Sequence, residues 1–133
     1  MEGKFITKEQ VLREKPEWGA LGWVSSPHTT NAKDLVVIEV SLAPGNGHNF
    51  HHHPNQEEVI YVIEGEVEQW IGQESKMLTA GDVVFIPPAM VHATFNVSSQ
   101  HAKLLAILGP TVGDGQGYEI VEVFEESPWK DLR

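Results

Sequence analysis

The sequence contains no cysteine. Disulfide scaffolds, zinc sites built on thiolates and catalysis by a cysteine nucleophile are therefore excluded. A chain without cysteine fits a reducing compartment, and we expect a cytoplasmic protein.

Long apolar runs are also missing. No stretch approaches the roughly 20 consecutive apolar residues that a membrane-spanning helix needs. The first ten residues, MEGKFITKEQ, carry an early acid and no apolar run, which is unlike a signal peptide. We therefore expect a soluble protein with no membrane partner.

Basic residues are few. Nine Lys and Arg stand against 19 Asp and Glu, and the formal net charge is −10. Because nucleic-acid binding depends on clustered basic side chains facing phosphates, the composition predicts no nucleic-acid partner. The 133 residues are typical of one domain with its own hydrophobic core.

The first part of the chain has weak structural signals. Thr7 and Gln10 have the spacing of a helix capping box, and Pro16 would end such a helix. We expect residues 1–34 to form an extension, short and helical or irregular, that packs on the rest.

From Leu35 onward, short β-branched runs alternate with turn residues, which is typical of an all-β sandwich or barrel. This region is predicted over residues 35–124, with a tail at 125–133. Glu64-Gly65 predicts a tight hairpin, and the segment Thr79–Asp82 predicts a second turn. The glycine-rich stretch TVGDGQGY after Pro110 lacks the lysine of a phosphate-binding loop, so we interpret it as a mobile loop.

Two histidines carry the first chemical signal. Residues two apart on a strand point to the same face, so His51 and His53 can reach one point inside a barrel while His52 faces away. Glu58 opens the next strand, with Ile60 and Val62 in phase with it.

The second signal follows a turn at Gly81. The pair Pro87-Pro88 cannot donate ladder hydrogen bonds, so the strand before it must end there. His92 then starts a return strand, with Thr94 and Asn96 in phase with it.

These two stretches resemble the two motifs of the cupin superfamily, and the chain resembles its small single-domain members (the cupin type 2 conserved barrel). The first motif, G(x)5HxH(x)3–4E(x)6G, is matched by Gly45, His51, His53, Glu58 and Gly65. The second, G(x)5PxG(x)2H(x)3N, is matched by Gly81, Pro87, His92 and Asn96, with Ala89 in place of the middle glycine. If the backbone needs a positive φ at that position, Ala89 is strained.

The resemblance implies an all-β fold, the cupin double-stranded β-helix or jelly-roll barrel. It also implies one divalent metal ion per chain, held by His51, His53, Glu58 and His92. Imidazoles and a carboxylate suit Fe, Mn, Ni, Zn, Co or Cu, and four protein ligands leave positions open on a six-coordinate ion. Glu57 competes with Glu58, but the six-residue spacing to Gly65 selects Glu58 and places Glu57 outward.

Several questions stay open at this level. His48 either lies in solvent, which we favour, or lines the mouth of the site, and Gln56 is predicted to be a loop residue.

The open metal positions favour a metal-dependent enzyme, a dioxygenase or related oxidoreductase, acting on a small-molecule substrate. A metal-dependent isomerase, decarboxylase or lyase and a non-enzymatic binding or sensing module are the alternatives. The family resemblance and terminal tryptophans favour a homodimer.

Overall fold

The computed structural model describes residues 2–113 and 115–133. Two antiparallel sheets contain nearly all of the regular structure, which confirms the predicted all-β class. The strands are β1 Leu12–Glu14, β2 Ala20–Ser25, β3 Val36–Leu42, β4 Gly47–His52, β5 Glu57–Glu64, β6 Glu66–Ile71, β7 Glu74–Thr79, β8 Val83–Ile86, β9 His92–Phe95, β10 Ala102–Gly109 and β11 Val121–Glu122. A short helix α1, Pro27–Thr30, follows β2, and a 3₁₀ turn, Trp129–Asp131, lies near the end.

The strands form a jelly roll. The six-stranded sheet has the order β1-β2-β3-β10-β5-β8, and the five-stranded sheet has the order β11-β4-β9-β6-β7. From β3 to β11 the chain changes sheet at every connection except the one between β6 and β7. This repeated crossing winds the chain around one interior, which is the double-stranded β-helix that the motifs predict.

The inner face of the six-stranded sheet is mostly apolar, and that of the five-stranded sheet carries most of the buried polar side chains. Strands β3 and β10 alternate strictly between buried and half-buried residues, so each sends one row of side chains inward. On the five-stranded sheet, the inner face instead carries buried polar side chains, namely His51, Gln69, His92, Thr94 and Asn96. Most of the buried polar groups therefore lie on the inner face of the five-stranded sheet, and Glu58 faces them from β5 of the six-stranded sheet.

The hairpin predicted at Glu64-Gly65 is wrong. Strand β5 belongs to the six-stranded sheet and β6 to the five-stranded sheet, so Gly65 is a corner between sheets. Its φ is 79°, and a Cβ there would lie 2.5 Å from the His101 carbonyl oxygen, so the corner requires glycine. The true hairpin joins β6 and β7 through Gly72 and Gln73.

The turn predicted at Thr79–Asp82 is confirmed. The Asp82 amide donates to the Thr79 carbonyl at 2.9 Å, and the Asp82 carboxylate accepts from the Thr79 amide at 2.8 Å. This turn also carries the chain from one sheet to the other.

No helix forms over residues 7–16, all of which the structure describes. Gln10 Oε1 does accept the Thr7 amide at 2.9 Å, as in a capping box, but the chain turns there and enters β1 at Leu12. Strand β1 pairs with β2, and β2 pairs with β3. The hydrogen bonds between β1 and β2 thus outweigh the local preference for a helix. The residues before β1 are irregular, which is the other possibility that the sequence allowed.

The outer faces of the two sheets differ. The last residues of the chain cover the five-stranded sheet: Trp129 packs on Phe50 with ring centroids 5.7 Å apart, and the Arg133 guanidinium lies 3.8 Å from the Phe95 ring centre. On the six-stranded sheet, by contrast, Tyr61 and Phe85 are exposed. Within residues 2–113 and 115–133, no helix is long and apolar enough to cross a bilayer.

Candidate metal centre

Three histidines meet on the inner face of the five-stranded sheet. His51 on β4 lies directly opposite His92 on β9, and His53 follows β4 on the same face as His51. All three are buried, and one nitrogen from each lies within 4.8 Å of the other two. The three are therefore close enough to bind a single metal ion.

The three imidazoles are oriented by backbone carbonyls. Each Nδ1 lies against a carbonyl oxygen: Asn49 O at 2.6 Å for His51, Glu119 O at 2.6 Å for His53 and Met90 O at 3.0 Å for His92. Because a carbonyl oxygen only accepts, each Nδ1 carries the proton and each Nε2 presents a lone pair. This is the arrangement that metal-binding histidines use.

Glu58 lies against two of these nitrogens. Its Oε1 is 2.9 Å from His92 Nε2 and 3.3 Å from His53 Nε2. Burial opposes ionisation of Glu58, but the contacts with His53 and His92 outweigh it and lower the pKa to about 2. The carboxylate is therefore ionised at neutral pH.

The contacts of Glu58 are short but poorly aligned. Within residues 2–113 and 115–133, neither Glu58 Oε1 nor His92 Nε2 has a hydrogen-bond partner of acceptable geometry, although both atoms are buried. An ionised carboxylate beside two imidazole nitrogens is stabilised by a positive charge among these atoms, which a proton or a metal ion can supply. Three nitrogens and one oxygen suit a divalent transition metal, so the residues present fit the ion that the motifs imply.

His48 belongs to this site, and the prediction that it lies in solvent is wrong. Its ring stacks on His51 with centroids 3.6 Å apart and on Trp18 with centroids 4.0 Å apart. Strand β4 pairs through His48 with Thr94 and through His51 with His92, so one extra residue is accommodated between the two pairs. This irregularity turns His48 inward, where simple alternation would turn it outward.

Burial and neighbouring charged groups also shift the pKa values of the His48 and His51 rings. Burial, opposed in part by Glu58, lowers the pKa of His48 to about 3. Burial, together with the neighbouring His48 and His92, lowers the pKa of His51 well below its ordinary value. Both rings are thus neutral at pH 7, which is the form that coordinates metals.

Gln56 is buried, although the sequence predicts only a loop residue. Its Nε2 donates to the carbonyls of Pro110 at 2.8 Å and Gly117 at 3.0 Å, and its Oε1 accepts from the Glu119 amide at 3.2 Å. It thereby fixes the glycine-rich segment, whose Glu119 carbonyl orients His53. Asp114 of that segment lies outside the described residues, so the predicted mobility of the whole loop stays a prediction.

Three further expectations concern Ala89, Glu57 and His52. Ala89 has a φ of 66°, so the predicted strain at this position of the second motif is confirmed; a left-handed residue other than glycine costs about 1–2 kcal/mol. Glu57 is exposed, as the spacing predicts. His52 is half-buried and lies on the face of β4 opposite His51.

The site opens into a cavity inside the barrel, called the central cavity below. Its volume is about 40 Å³, which is room for about three water molecules. Tyr118 closes one side, and burial, with Glu14 and Glu58 nearby, raises its pKa to about 12. The apolar wall consists of Leu21, Ile38, Val40, Leu42, Ile60, Leu104, Ala106 and Leu108. Such a cavity suits a small ligand bound beside the three histidines.

Comparison with known proteins gives a match to a family model and to a curated relative. The family model described as "Cupin domain" matches residues 38–108. The chain is 27% identical over 110 residues to the polyketide synthase CurC of Streptomyces cyaneus, covering 83% of this chain and 71% of that protein.

Two solved structures share the fold. KdgF from Halomonas sp. superposes with a TM-score of 0.74 at 19% identity, covering 85% of this chain and 98% of KdgF. The oxalate decarboxylase of Lactobacillus farciminis superposes with a TM-score of 0.74 at 20% identity, covering 88% of this chain. The chain spans only 35% of that decarboxylase, and at these identities the two likenesses establish the fold alone.

The buried neutral histidines predict an acid-sensitive metal-free protein. An unfolded chain binds protons at His48 and His51 below about pH 6.5, whereas the native state keeps both neutral. The unfolded state then binds more protons, so stability falls as the pH falls. For EDTA-treated protein, we expect the free energy of unfolding in urea to decrease from pH 7 to pH 5. His48→Phe should show a shallower decrease, and an equally steep one would contradict the assignment.

Proposed function

This chain belongs to the cupin family, and we propose that it is a metal-dependent enzyme acting on a small organic molecule. The carrying observation is the cluster of three buried, carbonyl-oriented imidazoles, two of which, His53 and His92, lie against an ionised Glu58. A purely structural polar cluster would pair its own donors and acceptors, whereas here Glu58 Oε1 and His92 Nε2 have no aligned partner.

We propose that His51, His53, Glu58 and His92 hold one divalent ion per chain: Fe, Mn, Ni, Zn, Co or Cu. Such an ion, when bound, supplies Lewis acidity and, for iron, manganese or copper, redox chemistry. His51, His53, Glu58 and His92 would hold the ion at the central cavity and would leave it accessible to a small molecule there. The donor type does not distinguish among these metals, because affinity also follows the metal series and availability.

The remaining residues of the central cavity bind and enclose the substrate. The apolar wall keeps water from the reacting atoms and strengthens each polar contact inside it. The Tyr118 phenol stays protonated at neutral pH and lies at the cavity, so it can donate a hydrogen bond or a proton.

Two reaction classes follow from this arrangement. We favour a dioxygenase or related oxidoreductase, because the donor set is close to the two-histidine, one-carboxylate site of non-haem iron oxygenases. An oxygen-independent isomerase, decarboxylase or lyase is the second candidate, and the protonated Tyr118 supports it, since such reactions need a proton donor. A non-enzymatic sensor would bind a ligand without turnover.

Activity with and without oxygen distinguishes these classes. Full-length protein loaded separately with Fe(II) and Mn(II) would be mixed with a panel of small carboxylic acids, enols and diketones, under air and under nitrogen. We expect substrate loss with Fe(II) under air, matched by oxygen uptake at an electrode. Glu58→Gln, which keeps the size of the side chain but removes its charge, should lose this activity. Turnover under nitrogen would select the second class, and binding without turnover would contradict an enzyme.

We also propose that the protein is a homodimer formed through the outer face of the six-stranded sheet. The face, called the outer patch, comprises Val59, Tyr61, Ile63, Val83, Phe85, Leu105 and Ile107 on β5, β8 and β10. Tyr61 is 42% exposed and Phe85 is 52% exposed, and they lie beside Val83 and Val59 in register.

A second copy fits this patch better than an acidic or basic partner. The seven patch residues are uncharged, and the acid that lies beside Leu105 in register, Glu39, is paired with Arg13 at 3.3 Å, so two copies with a net charge of −10 each can meet there with little repulsion. At its border Lys103 stands beside Glu64, so these opposite charges offset each other at the edge of the interface. A cytoplasmic location remains a prediction from the cysteine-free sequence.

Light scattering on a sizing column tests the dimer. We expect the wild-type protein at twice its 14.8 kDa chain mass and Phe85→Glu at the mass of one chain. Phe5→Glu is the matched control, because Phe5 is 98% exposed and lies outside the outer patch. A wild-type monomer at 100 μM protein would contradict the proposal.

A further inference from the structure

His48 lies in the central cavity but outside the proposed ligand set. The nitrogens that cluster within 4.8 Å belong to His51, His53 and His92. His48 lines the same cavity, and its Nε2 is buried with no hydrogen-bond partner in the part of the chain that the structure describes. Buried polar atoms in proteins are almost always paired, so this atom requires an explanation.

The ring of His48 is held in one plane. Trp18 stacks on one side with an interplanar angle of 10°, and His51 stacks on the other with an angle of 17°. Packing on both faces fixes the direction of Nε2 before any ligand arrives. A binding group fixed in advance loses less conformational freedom when it makes its contact.

No side chain among the described residues forms a hydrogen bond with that nitrogen. Thr94 is the partner of His48 in the register of β4 and β9, but its hydroxyl donates to Gln69 Oε1 at 2.6 Å. A phenylalanine could stack equally well between Trp18 and His51. The nitrogen therefore has a use that stacking alone does not explain.

From these observations we propose that His48 is a substrate-binding residue, whose Nε2 donates a hydrogen bond to an oxygen atom of the molecule bound beside His51. The inference rests on the proposed function, since the substrate oxygen must lie next to the metal-binding histidines. A central cavity of about 40 Å³ limits that molecule to a small one. A small carboxylate fits best, because one oxygen can face the metal site while the other accepts from His48.

Acetate binding to the Co(II)-loaded full-length protein tests the role of His48. The visible absorption of Co(II) reports both metal uptake and binding of a carboxylate beside it, without any need for turnover. His48→Phe keeps a ring between Trp18 and His51 but removes the nitrogen. His48→Gln keeps a donor near the position of Nε2 and serves as the conservative variant, in case the phenylalanine protein does not fold.

We expect His48→Phe to bind one equivalent of Co(II), as the wild type does, and to raise the Kd for acetate about tenfold, as is typical for the loss of one hydrogen bond to a charged group. His48→Gln should fall between the two. An unchanged Kd in both variants, or a wild type whose Co(II) spectrum does not respond to acetate, would overturn the role of His48 but would not contradict the proposed metal site. A loss of Co(II) in both variants would also overturn it, by assigning His48 to the metal ligands. A wild type that takes up no Co(II) would contradict the proposed metal site itself.

Discussion

The electrostatic contact between Glu58 and the imidazoles of His53 and His92 is the constraint on which the site depends. An ionised carboxylate at 2.9 and 3.3 Å from two imidazole nitrogens needs a positive charge among them, which a proton or a metal ion can supply. The rest of the site maintains this arrangement: backbone carbonyls fix the rings, and Gln56 fixes the segment that supplies one of those carbonyls. Binding a metal should therefore stabilise the fold as well as equip it for chemistry.

The two sheets contribute different side chains to the site and to the surface. The five-stranded sheet carries the polar groups on its inner face, and its outer face is covered by the end of the chain around Trp129. The six-stranded sheet supplies apolar side chains to the cavity wall and leaves Tyr61 and Phe85 exposed on its other face. The same alternation of side chains thus serves the proposed active site on one face and the proposed dimer on the other.

Much of the site could be predicted from the sequence, because two-residue periodicity is local: it places His51 and His53 on one face and His52 on the other. The inward position of His48 could not be predicted, since the irregularity in β4 has no distinct sequence signal. The buried contacts of Gln56 were missed because their partners lie 54 or more residues away. At Gly65 the turn chemistry is the same whether the next strand pairs back or crosses to the other sheet, so sequence alone suggested a hairpin.

Elemental analysis of the purified protein tests the central claim most directly. The wild type should carry close to one divalent transition metal ion per chain, and His51→Ala and His92→Ala should lose most of it. His52→Ala is the matched control, because His52 is adjacent in sequence but lies on the opposite face of β4, and it should retain the metal. Equal metal content in the wild type, His51→Ala and His92→Ala would contradict the account.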